Sequence, residues 1–548
     1  MNIVCILYLG GWDFKIIILK KYFTSLNIVF GLEVIVVALA ATGLIPREAI
    51  LVWTGLAIFY MIFSPVDDSL WLVVASIPLF AALPVSDNFD TMANWRILIA
   101  VLFLVWLVKK IKIYCSSPST ALGINWIREL YQSFARRIIK SNRLSYLTIA
   151  AIIFLLICAL SISVADYKIL AIKKLLFLIN IFLLFVVVRN KTRHKENILR
   201  VWQGVAVGGA AMLVVALVQF AAVLFVPLID FWQFWAGNVI NFFYGQNLAD
   251  LLSYSNTWFA YYQGAPPTLR LFSVFPDSHS FAMFSLILVP ILAAGALYFK
   301  ENRRRRIWFM ALAALALFGV VFSGSRGAWL SVAPVLMVIL FFWLKNINKD
   351  LLSRAGRGLI IFAVIFLLSV GYPPLFYQIQ AWQTGQPSSS TLSFFERARS
   401  ISDLEEISNK GRLEIWRQSL TSLGQHPWLG VGLGNFITVL NENIASAKKG
   451  ASAHNLYLDI AAEIGLPGLL ILLLMFFDIL WSAWLVWRRA SEPYFKLFGL
   501  FFGLYFVWIL SYSFFDVVLL NDKVLLLFMV SAATLYSLRN IIRNPEKI

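Results

Sequence analysis

The sequence predicts an all-α protein that crosses a membrane many times, with about 14 transmembrane helices and one large helical loop outside the bilayer between spans 11 and 12. Two observations carry that prediction. Of 548 residues, 60% are hydrophobic and 14% charged, whereas a soluble domain has about 45–50% and about 25%. The apolar residues also come in runs of roughly 15–25, the length that crosses a hydrocarbon layer of about 30 Å. A single larger core cannot absorb them, because cores stop growing at about 250–300 residues. A soluble enzyme, a secreted disulfide scaffold and a disordered chain are thereby excluded. The cysteines Cys5, Cys115 and Cys158 lack CxxC spacing and suggest neither a metal cluster nor a disulfide framework.

The expected spans are 27–44, 49–63, 69–85, 94–108, 145–163, 170–188, 202–228, 278–299, 307–323, 326–344, 358–372, 466–487, 497–516 and 523–538. The first apolar stretch is short, precedes its lysines and has no small-residue cleavage site, so a cleavable signal is not expected. An even number of spans puts both termini on one side. That side then holds 31 of the 46 Lys and Arg, and seven of the remaining 15 lie in the long loop 373–453. Long loops translocate largely regardless of charge, and short basic connections stay cytoplasmic. Both termini are therefore expected in the cytoplasm and the loop outside it. The net charge of +18 invites a nucleic-acid reading, but topology alone accounts for it. The chain divides into N-terminal spans (1–108), a basic cytoplasmic linker (109–144), a central bundle (145–372), the loop (373–465) and C-terminal spans (466–548).

Two outer segments are large enough to carry chemistry. Segment 229–277 is rich in Trp and Tyr, among them Trp232, Trp235, Tyr244, Trp258, Tyr261 and Tyr262, and is expected along the outer interface. The loop opens with Tyr372-Pro373-Pro374, which stops the preceding helix, and Gln386-Pro387-Ser388 reads as loop. From Gly411, the apolar residues Leu413, Trp416, Leu420 and Leu423 recur at helical steps.

Five constellations on that outer side, with two residues inside spans, are candidates for function. Ser325-Arg326-Gly327-Ala328 places an arginine between two apolar spans, where it needs a partner or a watery cavity. It either snorkels or offers its planar fork to a phosphate. Gly411-Arg412 puts a cation in the first turn of a helix, electrostatically the wrong end; the alternative is a solvated surface arginine. Trp428-Leu429-Gly430-Val431-Gly432-Leu433-Gly434-Asn435-Phe436 matches no nucleotide fingerprint and reads as a tight loop. His454-Asn455 sits at the mouth of the bundle, followed by Glu463-Ile464-Gly465-Leu466-Pro467-Gly468, where Gly465 and Pro467 are suited to ending one helix and starting another. His454 either packs a helix end or accepts a proton from a hydroxyl. Arg270 and Pro276-Asp277-Ser278-His279-Ser280 precede the eighth span, and interface anchoring is the first expectation for them, ligand contact the second. Within spans, Glu33 and Asp478 either line a cavity or pair inside the bundle.

Taken in order, Ser325-Arg326-Gly327-Ala328, Gly411-Arg412 with Trp416, Gly430-x-Gly-x-Gly-Asn435-Phe436, and His454-Asn455 with Glu463-x-Gly465-x-x-Gly468 resemble the O-antigen ligase and O-antigen polymerase superfamily of bacterial envelope glycosyltransferases. Pro276-Asp277 resembles that family's Pro-Asn/Asp element, and the specific match covers about 320–470. The resemblance implies a GT-C-like helical fold in the bacterial cytoplasmic membrane and an inverting, metal-independent transfer at its outer face, with no cofactor. The donor would be a glycan on undecaprenyl diphosphate; the acceptor would be lipid A-core, a second lipid-linked glycan or a protein hydroxyl. Carried over by position, Arg326 and Arg412 hold the diphosphate and His454 activates the acceptor hydroxyl. Substrate contacts are expected from Arg270, Asp277, Ser325, Trp416, Asn455 and Glu463. The family often has fewer spans, so the first two to four here read as an addition. The rival from another class is a transporter or flippase of a diphosphate-linked lipid, which would show paired broken helices and a midplane site.

Overall fold

In hydrocarbon every backbone N–H and C=O must find its partner within the segment, so apolar runs of this length become helices. The computed structural model describes residues 24–85, 92–115, 146–253, 257–262, 265–345, 349–385, 407–440 and 452–543. The basic linker beyond Cys115 and the Gln386-Pro387-Ser388 stretch lie outside them. The protein is a polytopic all-α membrane protein. Among the described residues, ten helices are long and apolar enough to cross a membrane.

The N-terminal helices are α1 (Ser25–Ala41), α2 (Ala49–Phe63), α3 (Val66–Ala75) and α4 (Trp95–Cys115). Then come α5 (Tyr146–Ser161), α6 (Lys168–Lys191) and α7 (Lys195–Phe225). The outer segment folds as α8 (Leu228–Phe234), α9 (Asn241–Tyr244), α10 (Gln246–Ser253) and the antiparallel pair β1 (Phe259–Tyr262) and β2 (Ala265–Leu269). The bundle continues with α11 (Ser278–Tyr298), α12 (Arg303–Phe322), α13 (Arg326–Leu330), α14 (Ala333–Leu344), α15 (Lys349–Val370) and α16 (Tyr372–Thr384). Last come α17 (Ile407–Gln425), α18 (Leu456–Arg489), α19 (Pro493–Tyr512) and α20 (Asp522–Arg543).

Helices stand where the apolar runs lie, with one exception. The run 69–85 is helical only to Ala75; a short turn over Ile77–Leu79 follows, and extended chain then bridges Ala82 to Ala93. Pro78 has no N–H to continue the helix. The freed groups are met inside the protein, by Ala82 N–H to the Phe243 carbonyl (2.9 Å) and Ala81 N–H to Asn94 Oδ1 (3.2 Å). Irregular backbone at membrane depth is tolerated under that condition. The total of about 14 spans thus becomes ten full-length apolar helices, the shorter apolar α1 and α2, the broken α3 and the more basic α4.

The hub is α11, packed against α12, α19 and α20. In α11, 83% of the most apolar stretch is buried inside the protein, against 17% for 326–344. That contrast separates a central helix from a lipid-facing one. Glu33 accepts from the Ser76 hydroxyl (2.5 Å), and Asp478 pairs with Arg539 (2.8 Å), so both buried acids have partners inside the bundle.

Two further expectations change. Segment 229–277 is not a belt of half-wet rings: Trp235, Phe242, Phe243 and Trp258 are buried. Trp258 stacks on Phe272 with centroids 4.5 Å apart and donates its indole N–H to the Pro276 carbonyl (2.8 Å). The prolines at 373–374 do not open a loop either; α15 ends before Gly371, and they stand in the first turn of α16. A proline is tolerated there because that N–H has no helical partner. Gln380 and Gln383 of α16 then donate to the last carbonyls of α7, Val223 (3.0 Å) and Leu224 (2.9 Å).

Candidate active site

Where the ends of α5, α6, α11, α13, α17, α18, α19 and α20 meet, they enclose a cavity of about 1090 Å³. Its apolar arm runs between α5, α6, α18 and α20 and is lined by residues such as Phe154, Phe182, Met475, Phe476, Phe528 and Met529. Its polar end gathers Arg270, Arg326, Arg412 and His454. Four stretches of sequence separated by up to 184 positions, from 270 to 454, therefore share one chamber.

Helix caps aim several of these side chains. Asp277 caps α11, its carboxylate accepting from the N–H (2.7 Å) and hydroxyl (2.8 Å) of Ser280. Ser325 caps α13 through the N–H of Ala328, which places Arg326 at the first position of that helix. Asn455 caps α18, accepting from the N–H groups of Tyr457 (3.0 Å) and Leu458 (3.2 Å). Each cap satisfies backbone donors left open at a helix start.

Arg270 is held against the α12–α13 turn. Gly324 there has φ of +64°, and a Cβ at that position would lie 3.0 Å from Arg270 Cγ and 3.2 Å from its Nε. The α13 cap is also tied to the hub, since Ser325 Oγ and the Tyr512 hydroxyl are 2.7 Å apart.

His454 has φ of +47°, a left-handed conformation that a residue with a Cβ adopts at a cost of about 1–2 kcal/mol. The preceding peptide is clamped from both sides: Trp416 Nε1 donates to the Ala453 carbonyl (2.9 Å), and Asp459 Oδ1 accepts from the Ala453 N–H (3.0 Å). Strain of this kind persists where surrounding contacts over-determine the backbone. The described part of α17 begins at Ile407, so Arg412 lies in its second turn and the unfavourable end position expected for it is relieved by one turn.

The glycine-rich stretch is a strap, as its composition suggests. Val431 N–H donates to the Ala462 carbonyl and Gly432 N–H to the Glu463 carbonyl (both 2.9 Å), while Leu466 N–H returns to the Pro427 carbonyl (2.8 Å). Leu433 N–H also reaches Ser161 Oγ on α5 (3.2 Å). It grips the kink of α18 at Gly465, whose φ of 76° and ψ of −179° interrupt the helix.

Seven of the nine expected site residues line the cavity: Arg270, Asp277, Ser325, Arg326, Arg412, His454 and Glu463. Trp416 and Asn455 are not among the lining residues; they hold the backbone on either side of His454. Glu463 is paired with Lys174 (2.6 Å), a lysine on α6 that the sequence reading did not single out. Also missed was Asp516, in the short connection between α19 and α20, with His279 assigned only to anchoring. His279 Nδ1 lies 2.5 Å from Asp516 Oδ2, and both residues line the cavity. An acid confined to a nine-residue connection between two apolar spans (513–521) was the available signal. Burial opposes charge on Asp516, but the nearby His279 imidazole, its hydrogen bond and the more distant His454 outweigh it and hold the carboxyl down at about 2. Burial pushes the Asp277 carboxyl above its ordinary range, with His279 and the Ser280 N–H partly offsetting it.

Comparison with known proteins bears on this geometry. Residues 311–473 match a family model described as O-antigen ligase. This stretch is an O-antigen ligase domain. The chain is also 27% identical over 181 residues to a "ComP-specific O-oligosaccharyltransferase" of Acinetobacter baylyi, covering 32% of this chain and 29% of the relative. A "General O-oligosaccharyltransferase" of the same organism is 26% identical over 248 residues, 43% of this chain and 40% of the relative. An uncharacterised protein of Haemophilus influenzae is 23% identical over 211 residues, 37% of this chain and 50% of the relative. The matches thus span half or less of each relative. The O-antigen ligase domain supplies Arg326, Arg412 and His454, whereas Lys174, Arg270, Asp277, His279 and Asp516 reach the same cavity from outside it.

Proposed function

We propose that the protein transfers a glycan from undecaprenyl diphosphate to a hydroxyl of a protein or glycan acceptor, by an inverting and metal-independent displacement. Arg326 and Arg412 hold the diphosphate, and His454 takes the proton of the acceptor hydroxyl. The observation that carries the proposal is one chamber with both chemistries the donor needs: arginines and a histidine at one end, an apolar arm between helices at the other. Guanidinium groups bind phosphate oxygens in pairs and can stabilise charge growing on a departing diphosphate. The apolar arm suits a polyprenyl tail. The relatives named oligosaccharyltransferases support the same class of reaction.

Arg270 assists at the diphosphate, while Asp277, Ser325 and Asn455 place their neighbours through the helix starts they cap. The polar end lies opposite the connections 191–195, 298–303, 344–349 and 489–493, where Lys and Arg concentrate. By the positive-inside tendency those face the cytoplasm, which puts the reaction at the outer face of a bacterial cytoplasmic membrane with both termini inside. A flippase shares the broken α3 and the kinked α18, but its site belongs at mid-bilayer, and here the ionic groups gather where helices end.

The test is reconstitution of the full chain with undecaprenyl-diphosphate oligosaccharide and, separately, lipid A-core, a second lipid-linked glycan and a hydroxyl-bearing protein acceptor, with products read by mass. Transfer to one of them in the presence of EDTA is expected. Transbilayer movement of the donor with no transfer to any acceptor would overturn the assignment, and a need for added Mg²⁺ or Mn²⁺ would overturn its metal-independent form.

A further inference from the structure

Two imidazoles line the polar end of the cavity, and the proposed transfer uses one of them. The other, His279, is the second residue of α11. Its Nδ1 is engaged by Asp516 at 2.5 Å, with both side chains largely buried. A carboxylate that takes Nδ1–H sets the tautomer and orientation of the ring and leaves Nε2 for chemistry. The ring stands edge-on to Tyr512, centroids 6.4 Å apart, and the Tyr512 hydroxyl bonds the Ser325 cap that begins the helix of Arg326. His279 therefore belongs to the same wall as a diphosphate-holding arginine. His454 stands on another wall, built by α17 and the start of α18, and Asp516 feels the charge of both imidazoles.

We propose that His279 is the general acid of the transfer, giving its Nε2 proton to the departing diphosphate, and that Asp516 is its positioning residue between the two histidines. This rests on the transfer reaction proposed above. The acceptor oxygen bonds to the anomeric carbon as the bond from that carbon to the diphosphate oxygen breaks, and the electron pair leaves with the diphosphate. The acceptor's proton passes to His454, and the His279 proton passes to the diphosphate. One proton has entered at His454 and one has left from His279, so a transfer from His454 to His279 past Asp516 resets the site without net gain or loss.

The groups facing His279 are Asp277 from its own helix cap, Asp516 and Tyr512 from the α19–α20 connection, and Arg270, Arg326, Arg412 and His454 across the cavity. The carboxylates favour a protonated ring. The arginines oppose it until a bound diphosphate offsets their charge, which couples protonation to donor binding.

The experiment uses the full-length protein in nanodiscs with undecaprenyl-diphosphate oligosaccharide and the acceptor on which the wild type is active. His279→Gln is expected to lower kcat about a hundredfold, to leave KM for the donor nearly unchanged, and to abolish the fall of kcat at high pH. Asp516→Asn is expected to lower kcat with the same KM, and Asp516→Glu to recover most of it. Thermal unfolding confirms that each variant is folded, and His279→Asn replaces the glutamine variant if that one is not. Wild-type kcat with an intact high-pH limb in the folded His279 variant overturns the inference, and so does an effect confined to KM. A wild type that transfers to no acceptor overturns the transfer reading itself.

Discussion

The two outer segments that build the polar end hold their cations in opposite ways. In 227–277, side chains from the bundle grip the backbone that carries Arg270 and Asp277. Gln219 of α7 accepts from the N–H groups of Phe272 (3.0 Å) and Ser273 (2.9 Å), and Lys523 of α20 donates to the Val274 carbonyl (3.2 Å). In 407–466, backbone grips backbone: the strap at 430–434 and the kink at Gly465 approach so closely that a Cβ on Gly465 would lie 2.3 Å from the Trp428 carbonyl oxygen. The first segment depends on satisfying buried polar groups and the second on the absence of a methyl group. Both place ionic groups at the end of an apolar bundle, by means that fail differently when a residue is changed.

Four measurements would break or sharpen that contrast. The largest effects are expected at the site both segments share. Arg326→Ala and Arg412→Ala should each lower transfer by about 10²–10³-fold, and His454→Ala by about 10²–10⁴-fold, with membrane insertion unchanged. Wild-type rates in all three would remove the assigned roles. Next is the second segment. Gly465→Ala meets a left-handed penalty of about 1–2 kcal/mol as well as the overlap with Trp428, so a marked fall in thermal stability and lost transfer are expected. If the melting point is unchanged, the strap does not hold the kink.

In the first segment Gln219→Leu leaves two buried N–H donors without their acceptor. That should destabilise by about 1–3 kcal/mol, read as a lower unfolding temperature, without the complete loss expected at Gly465. Equal effects at the two positions would erase the distinction. The smallest expected effect is Trp416→Phe, which keeps the ring and removes the indole donor to Ala453. One hydrogen bond of about 1 kcal/mol corresponds to several-fold in kcat, with KM for the donor unchanged. A change in KM instead would make Trp416 a substrate contact.

The chemistry-bearing motifs were legible in the sequence because they are local. Arg326 beside glycine and serine, Arg412 a turn before Trp416, and His454 before an Asn cap each follow from a few adjacent residues. Their convergence was legible only as a shared side of the membrane. His279 and Asp516 lie 237 positions apart, and no period or spacing connects them. Lys174 was hidden inside an apolar span, where its partner Glu463, 289 positions later, makes it tolerable. The aromatic residues of 229–277 misled for a related reason. Composition reports that rings are abundant, but whether they face lipid headgroups or each other depends on what packs above them.

By itself, the sequence determined that this chain is a helical membrane protein, which ends of its helices are basic, and which short motifs carry arginine and histidine. Hydrophobic run length and charge placement act residue by residue, so they can be read without a fold. The tertiary structure decided that α3 stops at Ala75, that Trp416 and Asn455 aim His454 from outside the cavity, and that a His279–Asp516 pair stands beside the arginines. Those outcomes depend on partners hundreds of residues away, brought together by the packing of α11, α19 and α20 around one chamber.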